Sequence, residues 1–164
     1  MRRLISILMI TMLLLTAANA EWCWGNPDDL PEVNVSALDG MTAKEKADYV
    51  FKYCAKRIKY DLVKALNIKD YLDENGNYTV DYAAVFEKHM GICTDQATIC
   101  CELMRLCGLQ AFVAVSGGHM TVAVGTEYGL LMYDFNNVSK GGQHFIASDY
   151  ELYWREDWQP LLGG

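Results

Sequence analysis

Cys93, His119 and Asp134 are three residues whose types and order could do chemistry together. A thiol attacks a carbonyl carbon well only after losing its proton, so it needs a base nearby. An imidazole can be that base, and a carboxylate beside it fixes the tautomer and supports the charged ring. The set reads as nucleophile, base and orienter. Taken singly, each residue has a plainer role: a buried structural thiol or half-disulfide, a strand-end histidine bonded to backbone, and a strand-end acid.

The surrounding elements decide whether the three can meet. Cys93 follows Gly91-Ile92 in "GICTDQATICCELMRLCG" and opens a helix whose Ala97, Cys100, Cys101, Met104 and Cys107 recur at helical steps. Gly108 is placed to end it in the left-handed conformation. A helix start presents partial positive charge, which favours a negatively charged sulfur at Cys93. Asp95, one turn in, works against that effect. Beyond Gly108 the period changes: "LQAFVAV", "HMTVAV" and "LLMYDF" alternate with "SGG" and "GTEYG", an antiparallel meander. With its turn centred between Thr126 and Glu127, the second hairpin sets His119 directly opposite Asp134, Cβ atoms roughly 4.5–5.5 Å apart. A bulge would shift that register.

Upstream, "TAKE" at Thr42–Glu45 is a capping box, and Ala47, Val50, Phe51, Cys54 and Ile58 form one apolar stripe to about Lys59. A shorter helical segment "YDLVKALNI", a turn at "DENGNYT" and a helix "YAAVFEKHM" capped by Asp81 complete the first half. Helices followed by strands indicate an α+β domain. His89 on that last helix and His144 in a glycine-rich loop read as surface residues.

Bulk properties narrow the function. "MRRLISILMITMLLLTAANA" has two arginines, a short apolar run and a small-x-small end at Ala18-Asn19-Ala20, the layout of a secretory signal peptide over residues 1–20. The apolar run is too short for a stable membrane anchor. An arm follows over 21–40 and the domain over 41–164. Without the leader, loss of Arg2 and Arg3 takes the net charge from −7 to −9. An acidic chain without basic clusters argues against nucleic acid or anionic membrane as partners. Export would permit disulfides, with Cys23 and Cys54 the ones expected to be bridged. No C-x-x-C occurs and the histidines are scattered, so no metal and no cofactor is expected.

These residues carry a resemblance. "GICTDQA" resembles the start of the central helix in the transglutaminase-like superfamily, and "CGLQAFVAV" is similar to the element that follows it there. "GGHMTVAV" and "LMYDF" stand where that superfamily has its histidine and aspartate strands, and "RIKYD" at Arg57–Asp61 is similar to an upstream segment. The resemblance covers about Ile58 to Phe135. It implies a papain-like, transglutaminase-like α+β core, with N-terminal helices and the nucleophile helix packed on an antiparallel sheet. It also implies Cys93 as nucleophile, His119 as general base and Asp134 as third member, acting on a protein or peptide substrate, cell-wall peptide included. Two departures border the site: Met120 and Thr121 follow the histidine, where the family has an aromatic, and "DFNN" replaces D-P-T. The backbone N–H of Cys93 is the natural oxyanion donor, and Tyr60 is a candidate for a second. Arylamine acetyltransferases use the same three residue types in this order, but their R-G-G-x-C is missing. A transglutaminase-like fold that has lost activity and binds a cell-surface or peptide ligand is the alternative from another class.

Overall fold

The computed structural model describes residues 22–145 and 150–153; the stretch expected to be a leader, residues 1–20, lies outside them. Among the described residues no helix is long and apolar enough to cross a membrane. Helix α1 (Ala43–Arg57) begins as expected: the Thr42 hydroxyl accepts from the Glu45 N–H, and Glu45 accepts from the Thr42 N–H. Its apolar stripe buries Ala47, Val50, Phe51 and Cys54. The helix stops two residues short of Lys59, because strand β2 (Lys59–Tyr60) pairs in parallel with β4 (Met90–Gly91). Between them lie α2 (Leu62–Leu66), β3 (Tyr78–Thr79) and α3 (Tyr82–Lys88), the last capped by Asp81. His89 ends α3 in the left-handed conformation, at φ 55°, rather than continuing it.

The arm is ordered where it is described. Leu38 enters the core, and β1 (Trp22–Cys23) pairs in parallel with β3.

Helix α4 (Cys93–Leu106) lies between α1 and a five-stranded antiparallel sheet. The expected stripe is buried, but so is the rest of the helix: every residue from Cys93 to Arg105 is buried. Periodicity pointed to one apolar face, whereas the polar face is enclosed as well. Gly108 at φ 77° closes the helix, with Gly108 N–H donating to Arg105 O and Leu109 N–H to Met104 O. The sheet comprises β5 (Ala111–Ser116), β6 (His119–Thr126), β7 (Gly129–Tyr133), β8 (Gln143–His144) and β9 (Glu151–Tyr153), in the order β8-β7-β6-β5-β9. The meander is present, and the tail adds a strand at each edge of it. His144 is exposed on β8 rather than in a loop.

Cys54 is a free thiol, contrary to the expected bridge: it points into the α1–α4 interface against Cys100. Cys100, Cys101 and Cys107 share that core. Burial pushes Cys101 up to about 12 and Cys107 up to about 11, so these thiols stay protonated.

One carboxylate sets where α4 begins. Asp95, with no exposure, accepts from the Ile92 N–H at 2.9 Å, from Lys64 Nζ at 2.9 Å and from the Tyr78 hydroxyl. Ile92 has no acceptor of its own, so Asp95 supplies the reciprocal half of a capping box alone. Burial, and then the Asp95 charge, hold the Tyr78 hydroxyl well above the ordinary tyrosine range. Gly91 leaves room for this arrangement: a Cβ there would lie 2.8 Å from Asp95 Cβ and 3.3 Å from Ile58 Cγ2. Asp95→Ala strands the Lys64 ammonium, the Tyr78 hydroxyl and an N–H, and should cost about 3–5 kcal/mol in urea denaturation. Gly91→Ala should cost about 1–3 kcal/mol in the same measurement, by overpacking.

Candidate active site

Cys93 is the first residue of α4, so its N–H and that of Thr94 have no intrahelical acceptor. Gln96, one turn in, is buried and donates its side-chain amide to Ile58 O at 3.0 Å, tying the start of α4 to the end of α1. The helix start is therefore held from two sides, by Asp95 and by Gln96. Asp95 was expected to oppose a negative sulfur. Its charge is instead paired with Lys64, a cation that nothing in the local sequence pattern signals.

His119 is placed by a hairpin turn. Gly117 and Gly118, at φ 54° and 77°, make a two-residue turn that pairs Ser116 with His119 and puts the histidine first on β6. Asp134 follows the last residue of β7 and caps the short helix Phe135–Lys140. Both flanking residues are clamped by α1. Tyr133 packs on Phe51 with ring centroids 5.2 Å apart and donates its hydroxyl to Asp48 at 2.9 Å. Phe135 meets the same Phe51 ring at 4.9 Å.

The register differs from the sequence expectation. Thr126 pairs with Gly129 and Val122 with Tyr133, so the turn is centred between Glu127 and Tyr128, one residue later than expected. Asp134 is therefore diagonal to His119, not directly across. A shift of one residue in the turn centre moves the pairing by two, which keeps both side chains on the same face. They still meet: His119 Nε2 lies 3.0 Å from Asp134 Oδ1.

The Cys93 thiol neighbours the same imidazole and favours its charged form. With Nε2 engaged by Asp134, Nδ1 is the ring nitrogen left for the sulfur. Burial disfavours the charged ring, but hydrogen bonds from Asp134 and then Cys93 outweigh it and push His119 up to about 9, from an ordinary 6.5. Asp134 is drawn down despite its burial, chiefly by its bond to His119 and then by the Asn136 N–H. Tyr60 stands on β2 opposite Gly91 and half-exposed; burial and then the charge of Cys93 raise its hydroxyl, which marks it as a neighbour of the sulfur. The structure thus brings Cys93, His119 and Asp134 together and adds Tyr60 beside them. His89 and His144 contribute nothing to this cluster. Sequence reasoning missed the two asparagines after Asp134: the Asn136 N–H donates to Asp134 Oδ1 at 2.8 Å and Asn137 Nδ2 to Oδ2 at 3.4 Å. Their adjacency to the carboxylate was the available signal.

Among the described residues no group of three or more His, Cys, Asp or Glu side chains could hold a metal ion. The arrangement suits proton transfer between a thiol and a carboxylate-backed imidazole. His119, raised when folded, contributes stability that is full below 6.5 and is lost as pH rises through about 9. Asp134, drawn down, contributes stability above its ordinary 3.8 that is lost as pH falls through its lower folded value. NMR titration of His119 should therefore show half-protonation near 9, and both Asp134→Asn and Cys93→Ala should lower that midpoint.

The model of the transglutaminase-like superfamily matches residues 34–149, a span that includes Cys93, His119 and Asp134. A solved structure described as the crystal structure of a TGase is similar with a TM-score of 0.47 and 18% identity, over 85% of this chain and 35% of that one. The chain thus spans about a third of that neighbour's length. No curated protein matches. The family match covers well over half of the sequence and runs from the arm past β8, and on it the chain belongs to the transglutaminase-like superfamily.

Proposed function

We propose that the protein is an exported cysteine-dependent enzyme that acts on amide or peptide bonds through a thioester. The observation that carries this reading is the single imidazole whose Nε2 lies 3.0 Å from Asp134 Oδ1 and whose charged form the neighbouring Cys93 thiol also supports. The leader-like stretch Met1–Ala20 supports a secreted or periplasmic location.

The reaction follows from the contacts. Cys93 passes its proton to His119 Nδ1, and the sulfur forms a bond to the carbonyl carbon. Negative charge moves to the carbonyl oxygen, where the free N–H of Cys93 can donate, with the Tyr60 hydroxyl as a second candidate donor. The imidazolium, stabilised by Asp134, then gives its Nδ1 proton to the departing amine as the carbon–nitrogen bond breaks. A thioester on Cys93 remains. Water resolves it in a peptidase or amidase, and an amine resolves it in a transamidase. We favour water, which is abundant outside the cytoplasm, and a protein or peptide substrate, with cell-wall peptide among the candidates.

The competing reading, a binding module that has lost activity, draws on the burial of Cys93, whose exposure is only 9%. Alkylation separates the two. The mature protein would be treated with iodoacetamide from pH 4 to 9 and the modified cysteine mapped by mass. Cys93 should label first, while Cys54, Cys100, Cys101 and Cys107 stay protected in the core. At pH 6 the rate should fall about a hundredfold in His119→Ala, to that of an isolated thiol. Equal rates in the two proteins would end the enzyme reading and leave the binding module.

A further inference from the structure

Asn136 makes a contact that a three-residue set does not require. Its carboxamide nitrogen lies 3.3 Å from His119 Nε2, the same ring atom that Asp134 Oδ1 approaches at 3.0 Å. For Nδ1 to accept the thiol proton, the neutral ring must carry its hydrogen on Nε2. An amide N–H aimed at that Nε2–H would repel it. A carboxamide keeps its shape when turned half a revolution about its last bond, and so turned Asn136 offers Oδ1 to the ring.

The placement does not depend on the ring itself. The Asn136 N–H donates to Asp134 Oδ1 at 2.8 Å, and the Asn137 N–H donates to Asp134 O at 2.9 Å, which fixes the turn. Asn136 is exposed, whereas His119 and Asp134 keep only 26% and 14% side-chain exposure. Its amide therefore sits on the solvent side of the pair, where water would compete for Nε2–H.

We propose that Asn136 is a positioning residue that shares the His119 Nε2–H with Asp134, so that two acceptors hold the ring in the tautomer that leaves Nδ1 bare. The proposal rests on the reading of Cys93 and His119 as a working pair. The groups facing the ring are then the Cys93 thiol at one nitrogen, and the Asp134 carboxylate and Asn136 Oδ1 at the other.

The test uses the intact protein and two readouts. Nitrogen-15 NMR of the His119 ring above its titration reports the tautomer, and Cys93 alkylation at pH 7, below that titration, reports the working pair, because the same two acceptors also hold the Nε2–H of the charged ring. Asn136→Ala and the near-isosteric Asn136→Leu both keep the backbone N–H on Asp134. Each should admit the Nδ1–H tautomer and slow labelling about three- to tenfold, the scale of one hydrogen bond. Asn136→Asp, which can only accept, should keep the Nε2–H tautomer. Asp134→Ala should retain part of the Nε2–H preference, and Asp134→Ala with Asn136→Ala should lose it. Unchanged tautomer and rate in both Ala and Leu variants would overturn the proposal, as would a shift to Nδ1–H in Asn136→Asp. If His119→Ala leaves labelling unchanged, the enzyme reading fails, and the tautomer comparison still decides the role of Asn136.

Discussion

A carboxylate cut off from water is stable only if its lone pairs are used and its charge is met, and Asp95 satisfies both conditions through three separate segments. Tyr78 reaches it from β3, Lys64 from α2, and the Ile92 N–H from the turn that starts α4. Those contacts fix where the helix begins, hence where Cys93 sits. They also explain why α4 can be buried on every side. A helix enclosed all round must bring its polar groups with partners, and Asp95 and Gln96 do this at its first turn. The ammonium of Lys64 lies over the rings of Tyr78 and Tyr71 as well, 5.0 and 5.4 Å away, so the cluster carries its own cation inside an aromatic wall.

The other half of the site is held differently. Phe51, one residue on α1, touches the rings on both sides of Asp134, and Asp48 one turn earlier takes the Tyr133 hydroxyl. The carboxylate is thereby fixed by packing of its neighbours, while its own oxygens remain for His119 and the asparagine turn. Helix α1 locates both ends of the pair, through Ile58 O at Gln96 and through Phe51 at the rings flanking Asp134. The thiols of the chain divide along the same line. Among the described residues, burial drives Cys100, Cys101 and Cys107 toward the protonated form, and Cys93 is the thiol that acts on an imidazole.

Much of this is legible in the sequence itself. The capping box at Thr42–Glu45, the α1 stripe, the Gly108 stop and the meander after it are local patterns, decided within a few residues by hydrogen-bond needs and side-chain period. The order of Cys93, His119 and Asp134 on a helix start and two strand ends was readable for the same reason, and the pairing face survived a misplaced turn because side chains alternate with period two. What only the tertiary structure decided were the contacts between segments far apart in the chain. Lys64 beside Asp95, Cys54 against Cys100 rather than in a disulfide, and Phe51 between Tyr133 and Phe135 leave no mark on local periodicity. Whether a charge is compensated, a thiol bridged or a polar helix face enclosed depends on what folds against it, and a one-dimensional pattern does not contain that partner.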